Sequence, residues 1–289
     1  MNTHAEAMAQ GLPPQQTTPI LELHNASKDV VKGADQSYPA FRNLSLQIFS
    51  GDRLAIFAVK GPESRALVGC LSGVEPLDSG KLVQECSVSW PLGTNEAFSN
   101  KLSSYVNARF AAEVYSLPGE IDSNLRLIRE LSGLTDKLFH QPLSDLPTVM
   151  KDALKLAISM VFDFDVLAVS RLKGWDHRGI DPQAVRIREC FEQRIDGRTL
   201  VMSANGQNTL ALDYCDEGLA LVNGKLVYRG DPEVCLQLVK EESSCLKAER
   251  RESLRRHLAT IIAAPDDSTD DDEDDDFESQ SLGAEGGWR

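Results

Sequence analysis

Short apolar runs alternate with helical patterns along most of this chain, and this alternation restricts the fold more than any other feature. Three runs rich in Val, Leu and Ala have the composition of buried strands, and helical stretches separate them. Strands that are buried on both faces and joined by helices form parallel sheets. The runs are VLAVS (166–170), TLVMSA (199–204) and EGLALVNGKLVYRG (217–230). We therefore predict an α/β fold with a mainly parallel sheet and helices on both faces.

The N-terminal region predicts further strands, and the middle of the chain predicts a helical insert. Polar turns separate strand-like segments, which suggest a patch of antiparallel strands. KLVQECSVSW (81–90) also has a strand-like pattern. Helical spacing then dominates through a subdomain of about 97–160. The N-terminal segments are ILELHNAS (20–27), FRNLSLQIF (41–49) and DRLAIFAV (52–59), the last followed by a predicted helix over 64–71.

The ends of the chain differ in composition from its body. Residues 1–18 are polar and rich in Gln and Pro, which predicts a disordered lead before a main domain over 19–240. Residues 241–265 form a predicted helical extension in which basic and apolar residues mix. That extension either binds a partner or membrane surface or packs on its own domain. Residues 266–289 contain eleven acids and one base, so we predict a disordered acidic tail.

Composition excludes several function classes. The formal net charge is −14, most of it in the tail, and no basic stripe favours nucleic-acid binding. The six cysteines form no CxxC pair, and the histidines lack the spacing of metal ligands, so we predict no metal site. No apolar run reaches the length of a transmembrane helix, and the N-terminus lacks the pattern of a signal peptide. We predict a cytoplasmic protein with no transmembrane segment.

Residues 55–73, AIFAVKGPESRALVGCLSG, have the outline of a strand, a phosphate-binding loop and a helix. A working loop of this kind carries Gly-Lys-Ser/Thr, whose Lys reaches the phosphates and whose hydroxyl holds Mg²⁺. This chain carries Glu63, Ser64 and Arg65 instead. No other loop offers Gly-Lys-Ser/Thr, so a different assignment of the motif has little support.

Four segments, in order and at matching spacing, resemble the ATP-binding subunits of ABC transporters, and more narrowly the branch that exports capsular and related polysaccharides. The resemblance runs from about Ile20 to Lys240 and implies an ABC-ATPase-like P-loop NTPase fold. It also implies nucleotide-driven transport as the ancestral activity. The segments are VSWPLG (88–93), FSNKLSSYVNARFAAEVY (98–115), SMVFDFDVLAV (159–169) and VNGKLVYRGDPE (222–233).

The resemblance places the family's phosphate-loop positions on residues that have lost most of its chemistry. Without gaps, the three loop glycines fall at Ala58, Gly61 and Glu63, while the Lys falls at Ser64 and the Ser/Thr at Arg65. The replacement puts a carboxylate where a polyanion docks. Charge-assisted contacts contribute about 1.5–3 kcal/mol each, so we expect ATP binding to be weaker by orders of magnitude. Lys60 or Arg65 could supply a replacement charge, although neither holds the Lys position.

The other family positions have changed as well. Ser170 and Arg171 stand where a buried strand should end in the Mg²⁺-binding Asp and the catalytic Glu. The switch histidine falls at Ala204 and the Mg²⁺-sensing glutamine at Ser99. The adenine-stacking aromatic falls near Val30, with Tyr38 close by. The signature loop falls at Leu146–Met150, whose central positions are Pro147, Thr148 and Val149.

These substitutions leave three hypotheses. The first is a pseudo-ATPase that regulates or scaffolds polysaccharide export and needs no cofactor. The second is an export ATP-binding subunit with residual ATP and Mg²⁺ binding and an active partner. The third is a relic interaction domain without a nucleotide role. Partners under the first two are an ABC permease, other export proteins or a second copy of the chain, at the inner face of the cytoplasmic membrane.

Overall fold

A computed structural model describes residues 18–32, 36–93, 98–172 and 181–263, and the side chains of residues 32 and 257–263 are not described. The predicted acidic tail and all but the last residue of the predicted N-terminal lead lie outside these ranges. The chain falls into two compact units, Met1–Cys245 and Leu246–Arg289. Among the described residues, no helix combines the length and apolar character needed to cross a bilayer.

A five-stranded sheet forms the centre of the first unit and confirms the predicted α/β class. Four strands run parallel and the last is antiparallel, in the order β5-β6-β3-β7-β8. The four parallel strands are almost entirely buried, as expected of strands covered on both faces, whereas the antiparallel edge strand alternates between exposed and partly buried residues. The strands are β3 (Arg53–Ala58), β5 (Val166–Val169), β6 (Thr199–Ser203), β7 (Glu217–Val222) and β8 (Lys225–Gly230).

A separate antiparallel sheet of order β2-β1-β4 contains the first two N-terminal segments, as predicted, whereas the third segment (52–59) provides strand β3 of the central parallel sheet. The first two strands are longer than the sequence suggested, because both continue past polar residues that lie on the exposed face. Their buried residues pack with helix α1 (Gly61–Leu71) and one face of the central sheet in a common core. The strands are β1 (Leu21–Lys32), β2 (Gln36–Ile48) and β4 (Ser79–Gln84).

Helices cover the central sheet and build a helical subdomain with its own core. The subdomain comprises α2 (Ser104–Tyr115), α3 (Ile121–Ser132), α4 (Asp136–Phe139), a 3-10 turn (Leu143–Asp145) and α5 (Thr148–Val161). The remaining helices are α1 (Gly61–Leu71), α6 (Pro182–Ile195), α7 (Asn208–Tyr214) and α8 (Pro232–Ala263).

Two predictions of local structure differ from the structure in their boundaries. The segment 81–90 is a strand only to Gln84; beyond it, Val88 and Leu92 form isolated parallel bridges with β5. After Gln84 the segment leaves the N-terminal sheet and runs along the edge of the central sheet. Its strand-like pattern therefore comes from pairing with two different sheets. The helix predicted over 64–71 begins three residues earlier, at Gly61. That earlier start decides the geometry of the candidate site.

Candidate functional site

The connection between strand β3 and helix α1 contains only two residues. The strand ends at Ala58 and the helix begins at Gly61, so Val59 and Lys60 alone join them. A phosphate loop needs a longer arc whose backbone N–H groups curve around the anion. Glu63 and Ser64 lie instead within the first turn of the helix, where the backbone is already wound. The predicted loop positions are therefore present, but they do not form a loop.

Glu63 fills the position at the N-terminus of α1 where an anion would bind. Its side chain is 1% exposed, and its Oε2 accepts the backbone N–H of Lys60 at 3.2 Å. The Lys60 Nζ lies 3.8 Å from Oε1. A carboxylate here satisfies a free helix N–H and meets the positive end of the helix dipole. Burial raises the pKa of Glu63, while the contacts with Lys60 lower it by less.

Ser64, at the position of the phosphate-loop lysine, takes part in a buried hydrogen-bond network. Its Oγ lies 2.7 Å from the Oγ of Ser203, which ends strand β6, and it donates to Asn205 Oδ1 at 3.0 Å. Its distance to the carbonyl oxygen of Gly61 is 3.1 Å. Both serines are completely buried. A lysine side chain at this position would have to displace these contacts.

Asn205 joins the end of strand β3 to the same network. Its Nδ2 donates to the Ala58 carbonyl at 2.9 Å, and its Oδ1 accepts the Ala58 N–H at 3.2 Å. Ala58 is buried, and its N–H and carbonyl groups both bind this one side chain. We call the set formed by Ala58, Ser64, Ser203 and Asn205 the edge network, because it lies at the carboxyl edge of the parallel sheet.

Gln207 extends the contacts to the end of strand β5. Its Nε2 donates to the Ser203 carbonyl at 2.7 Å, and its Oε1 accepts the Leu172 N–H at 2.8 Å. A longer contact of 3.5 Å joins Nε2 to the carbonyl of Ser170. Ser170 is buried and, like Arg171, donates its backbone N–H to the carbonyl of Leu92. An amide thus connects the strand ends where the family places carboxylates and Mg²⁺.

The remaining predicted positions have structural contacts. Ala204 is fully buried and donates its N–H to Ile56 at 2.9 Å. The Ser99 N–H donates to Oδ1 of Asn107 at 2.9 Å, and Nδ2 of Asn107 donates to the Ser99 carbonyl at 3.0 Å. Asn107 belongs to α2, so Ser99 is fixed to the helical subdomain.

The signature positions lie at the start of helix α5. Pro147 is the N-cap residue, Thr148 is the first helical residue, and Val149 follows it. Val149 is 69% exposed, so a branched side chain projects where the family has a glycine that permits close backbone approach.

Tyr38 faces the start of α1, and its cross-strand partner Val30 lies beside it. The Lys60 Nζ lies 4.1 Å from the centroid of the Tyr38 ring, a cation–π distance. Both residues line an open cleft of about 740 Å³, with Val30, Val31, Gln36, Ser37 and Pro62. Burial and the Glu63 carboxylate raise the pKa of Tyr38, and Arg65 partly opposes them. The cleft lies at the predicted nucleotide position.

The residues present do not fit ATP with Mg²⁺. The helix N-terminus is already occupied by Glu63, the Lys position is a buried serine, and Ser170 supplies no carboxylate. Within the described ranges, no group of three His, Cys, Asp or Glu side chains could hold a metal ion. We therefore derive no catalytic step through a nucleotide.

Sequence reasoning missed Ser203, Asn205 and Gln207, which carry most of the contacts at this edge. A signal was available, because polar side chains directly after a buried parallel strand lie at the ligand-binding edge of such sheets. In the segment SANGQ (203–207), Ser203 is the last residue of β6 and the other residues follow the strand in this way.

Comparison with known proteins supports the resemblance described above. No family model matches the chain. It is 28% identical over 201 residues to the ATP-binding protein BexA of Haemophilus influenzae, covering 69% of this chain and 89% of that protein. It is 23% identical over 208 residues to the polysialic acid transport ATP-binding protein KpsT of Escherichia coli, covering 72% and 90%. A third relative, the capsule polysaccharide export ATP-binding protein CtrD of Neisseria meningitidis, is 28% identical over 185 residues, covering 64% and 82%.

Solved structures confirm the fold. The dimeric post-hydrolysis state of an ATP-binding cassette bound to ADP and Pi matches with a TM-score of 0.57 at 12% identity. The match covers 73% of this chain and 98% of that cassette. At this identity the likeness establishes the ABC ATPase cassette fold and nothing about the ligand of this chain.

Proposed function

From its homology to ATP-binding proteins of capsule and polysaccharide export, and from its ABC cassette fold, we propose that this chain is a pseudo-ATPase. It acts as a regulatory or scaffolding component of a polysaccharide-export apparatus and does not hydrolyse ATP. Its partners are an ABC permease or other export proteins, which place it at the inner face of the cytoplasmic membrane.

The edge network is the observation that carries this proposal. In a working cassette, the polar groups at the ends of the central strands bind the nucleotide phosphates and the metal ion. Here Ser64, Ser203 and Asn205 satisfy one another, and Glu63 satisfies the start of α1. A phosphate group entering this site would meet a buried carboxylate and would have to break buried hydrogen bonds. The internal contacts therefore support a fold that is complete without ligand.

These residues agree better with a scaffolding role than with the role of the impaired subunit in an ABC dimer that keeps one active site. Each site of an ABC dimer combines the phosphate loop of one subunit with the signature of the other. This chain has altered both regions, at Glu63–Arg65 and at Pro147–Val149, so pairing it with an intact subunit would impair both sites. A role in assembly requires neither site.

The test is equilibrium binding of a fluorescent ATP analogue with Mg²⁺, with unlabelled ATP as competitor up to about 5 mM. BexA, measured identically, is the positive control for the assay. We expect no saturable signal for this chain and no rise in melting temperature, since a ligand at 100 times its Kd would stabilise the fold by about 2.7 kcal/mol. Saturable binding in the micromolar range would contradict the proposal.

The Tyr38 cleft favours a second candidate, an export subunit with residual nucleotide binding. The cleft offers an aromatic ring beside Lys60, and the Arg65 guanidinium lies close to Gly61, the first residue of helix α1. Under this candidate, ATP binds in the micromolar range, and both Tyr38→Ala and Arg65→Ala weaken binding at least tenfold. Under the pseudo-ATPase proposal, neither substitution changes the signal.

A further inference from the structure

The C-terminal part of helix α8 carries most of its basic residues on one face. Every side chain from 247 to 256 is exposed. Five of these residues follow the spacing i, i+3, i+4, i+7 and i+8, so they lie along one side of the helix. Four of the five are basic and one is apolar. We call this set the α8 basic face: Lys247, Arg250, Arg251, Leu254 and Arg255.

The acidic residues of the same segment lie on the opposite side of the helix. With each residue turning the helix by about 100°, Glu249 and Glu252 lie at least about 130° from the centre of the basic face. Glu252 forms an ion pair with Arg256, which is also outside the basic face. The acids of this segment therefore do not neutralise the α8 basic face.

No contact within the described part of the chain neutralises this face either. None of its four basic residues forms an ion pair with another described residue. Neighbours four residues apart, Lys247 with Arg251 and Arg251 with Arg255, carry like charges, which destabilises a helix. The helix dipole stabilises cations only in the last turn, and α8 ends at Ala263, eight residues beyond Arg255. An anionic partner on this face would relieve the repulsion.

We propose that the acidic segment 270–276 of the same chain binds the α8 basic face. The segment reads DDDEDDD, so it presents seven carboxylates in succession. The segment and the face carry opposite charges and belong to the same compact unit, Leu246–Arg289. Because the segment is tethered to the helix, its effective concentration at the face is on the order of 1 mM.

The lengths of the two segments permit this contact. Each helical residue adds about 1.5 Å, so Ala263 lies about 18 Å along the helix from Arg251 and about 24 Å from Lys247. Asp270 is seven residues beyond Ala263, and seven extended residues reach up to about 23–25 Å. The acidic segment can therefore begin beside Arg251 or Arg255 and continue along the face toward Lys247.

The composition of the face favours the acidic segment over an anionic lipid surface. Helices that bind such a surface combine basic residues with a broad apolar face that inserts between the headgroups. Among the described side chains, the α8 basic face has a single apolar residue, Leu254, which is 53% exposed. A run of carboxylates supplies the required charge without apolar burial. The contact involves no residue of the edge network, so its test is independent of ATP binding.

Zero-length cross-linking of the full chain with a water-soluble carbodiimide tests the contact, because this reagent joins an amine to a carboxylate that lies against it. Lys247 supplies the only amine of the basic face. We expect peptides that join Lys247 to residues 270–276 at about 0.1 M NaCl. Their yield should fall at least fivefold at about 1 M, since salt shortens the range of exposed charges from about 10 Å to about 3 Å. Absence of these peptides, or a yield that salt does not change, would overturn the proposal.

Two controls test whether the cross-link is specific and lies within one chain. Lys247→Arg combined with Ser253→Lys keeps the charge of the face but moves the amine about 130° around the helix, and should reduce the yield at least fivefold. In a mixture of ¹⁵N-labelled and unlabelled chains, labelled peptides should be joined only to labelled ones. An equal yield from the moved amine, or random pairing of labelled with unlabelled peptides, would contradict the proposed contact.

Vesicles of phosphatidylcholine with about 30% phosphatidylglycerol distinguish the acidic segment from a lipid surface as the occupant. A neutral-tail variant, in which Asn and Gln replace the acids of 270–276, should bind these vesicles at least fivefold more tightly than the wild type, because its basic face is open. Arg251→Glu with Arg255→Glu should abolish that gain. Equal binding of the wild type and the neutral-tail variant would overturn the proposal, and tight binding of both would identify the face as a lipid-binding surface.

Discussion

Asn205→Ala tests whether the edge network stabilises the fold. The substitution removes three hydrogen bonds, two to the Ala58 peptide groups at 2.9 Å and 3.2 Å and one from Ser64 at 3.0 Å. Each contributes about 1 kcal/mol net, and a buried group left without a partner costs about 1–3 kcal/mol. Asn205 itself is half-buried, so water can replace part of the loss. We therefore expect a loss of about 2–4 kcal/mol in the free energy of unfolding.

Urea unfolding followed by circular dichroism measures this loss as a shift of the midpoint at constant m-value. Ser64→Ala, which removes only the hydroxyl, should cost less, about 1 kcal/mol. Asn208→Ala is the control, because Asn208 is exposed three residues along the same segment and should change stability by less than about 0.5 kcal/mol. If Asn205→Ala were no more destabilising than Asn208→Ala, the network would be incidental to the fold and the central argument for a pseudo-ATPase would fail.

Three further predictions follow from single residues. Burial raises the pKa of the Glu63 carboxyl, so ionisation of this group destabilises the folded state at pH values above the raised pKa. The destabilisation disappears as the pH falls through that pKa. Glu63→Gln, which retains an acceptor for the Lys60 N–H, should therefore raise the melting temperature at pH 8 but not near pH 4. Gly93→Ala should cost more than about 3 kcal/mol, because the new Cβ would lie 1.4 Å from the Arg171 carbonyl oxygen, whereas Gly51→Ala, with open space and a similar positive φ, should cost about 1 kcal/mol in the same urea assay. Cys245 is exposed and should react rapidly with Ellman's reagent at pH 8. The buried thiols should react more slowly, among them that of Cys215, because burial raises its pKa to about 12. A fast phase of the reaction that remains in Cys245→Ser would contradict this prediction.

The central sheet was predictable because its strands are buried on both faces and so contain almost continuous apolar runs. The β7–β8 hairpin was predictable from Asn223-Gly224, since both residues adopt the positive φ that a two-residue turn requires. The boundary of β4 was not predictable, because the apolar residues after Gln84 pack on a different sheet. The periodicity of apolar residues indicates which residues are buried, but it does not indicate against which sheet they pack.

The start of α1 could have been predicted from local signals. Pro62 and Glu63 stand in the first turn, where proline and an acidic N3 residue favour helix initiation. The family resemblance instead suggested a loop at these positions, and the local chemistry prevailed. The edge network could not be predicted in detail, since it depends on the parallel register that pairs Ile56 with Ser203. That register is a long-range property of the sheet.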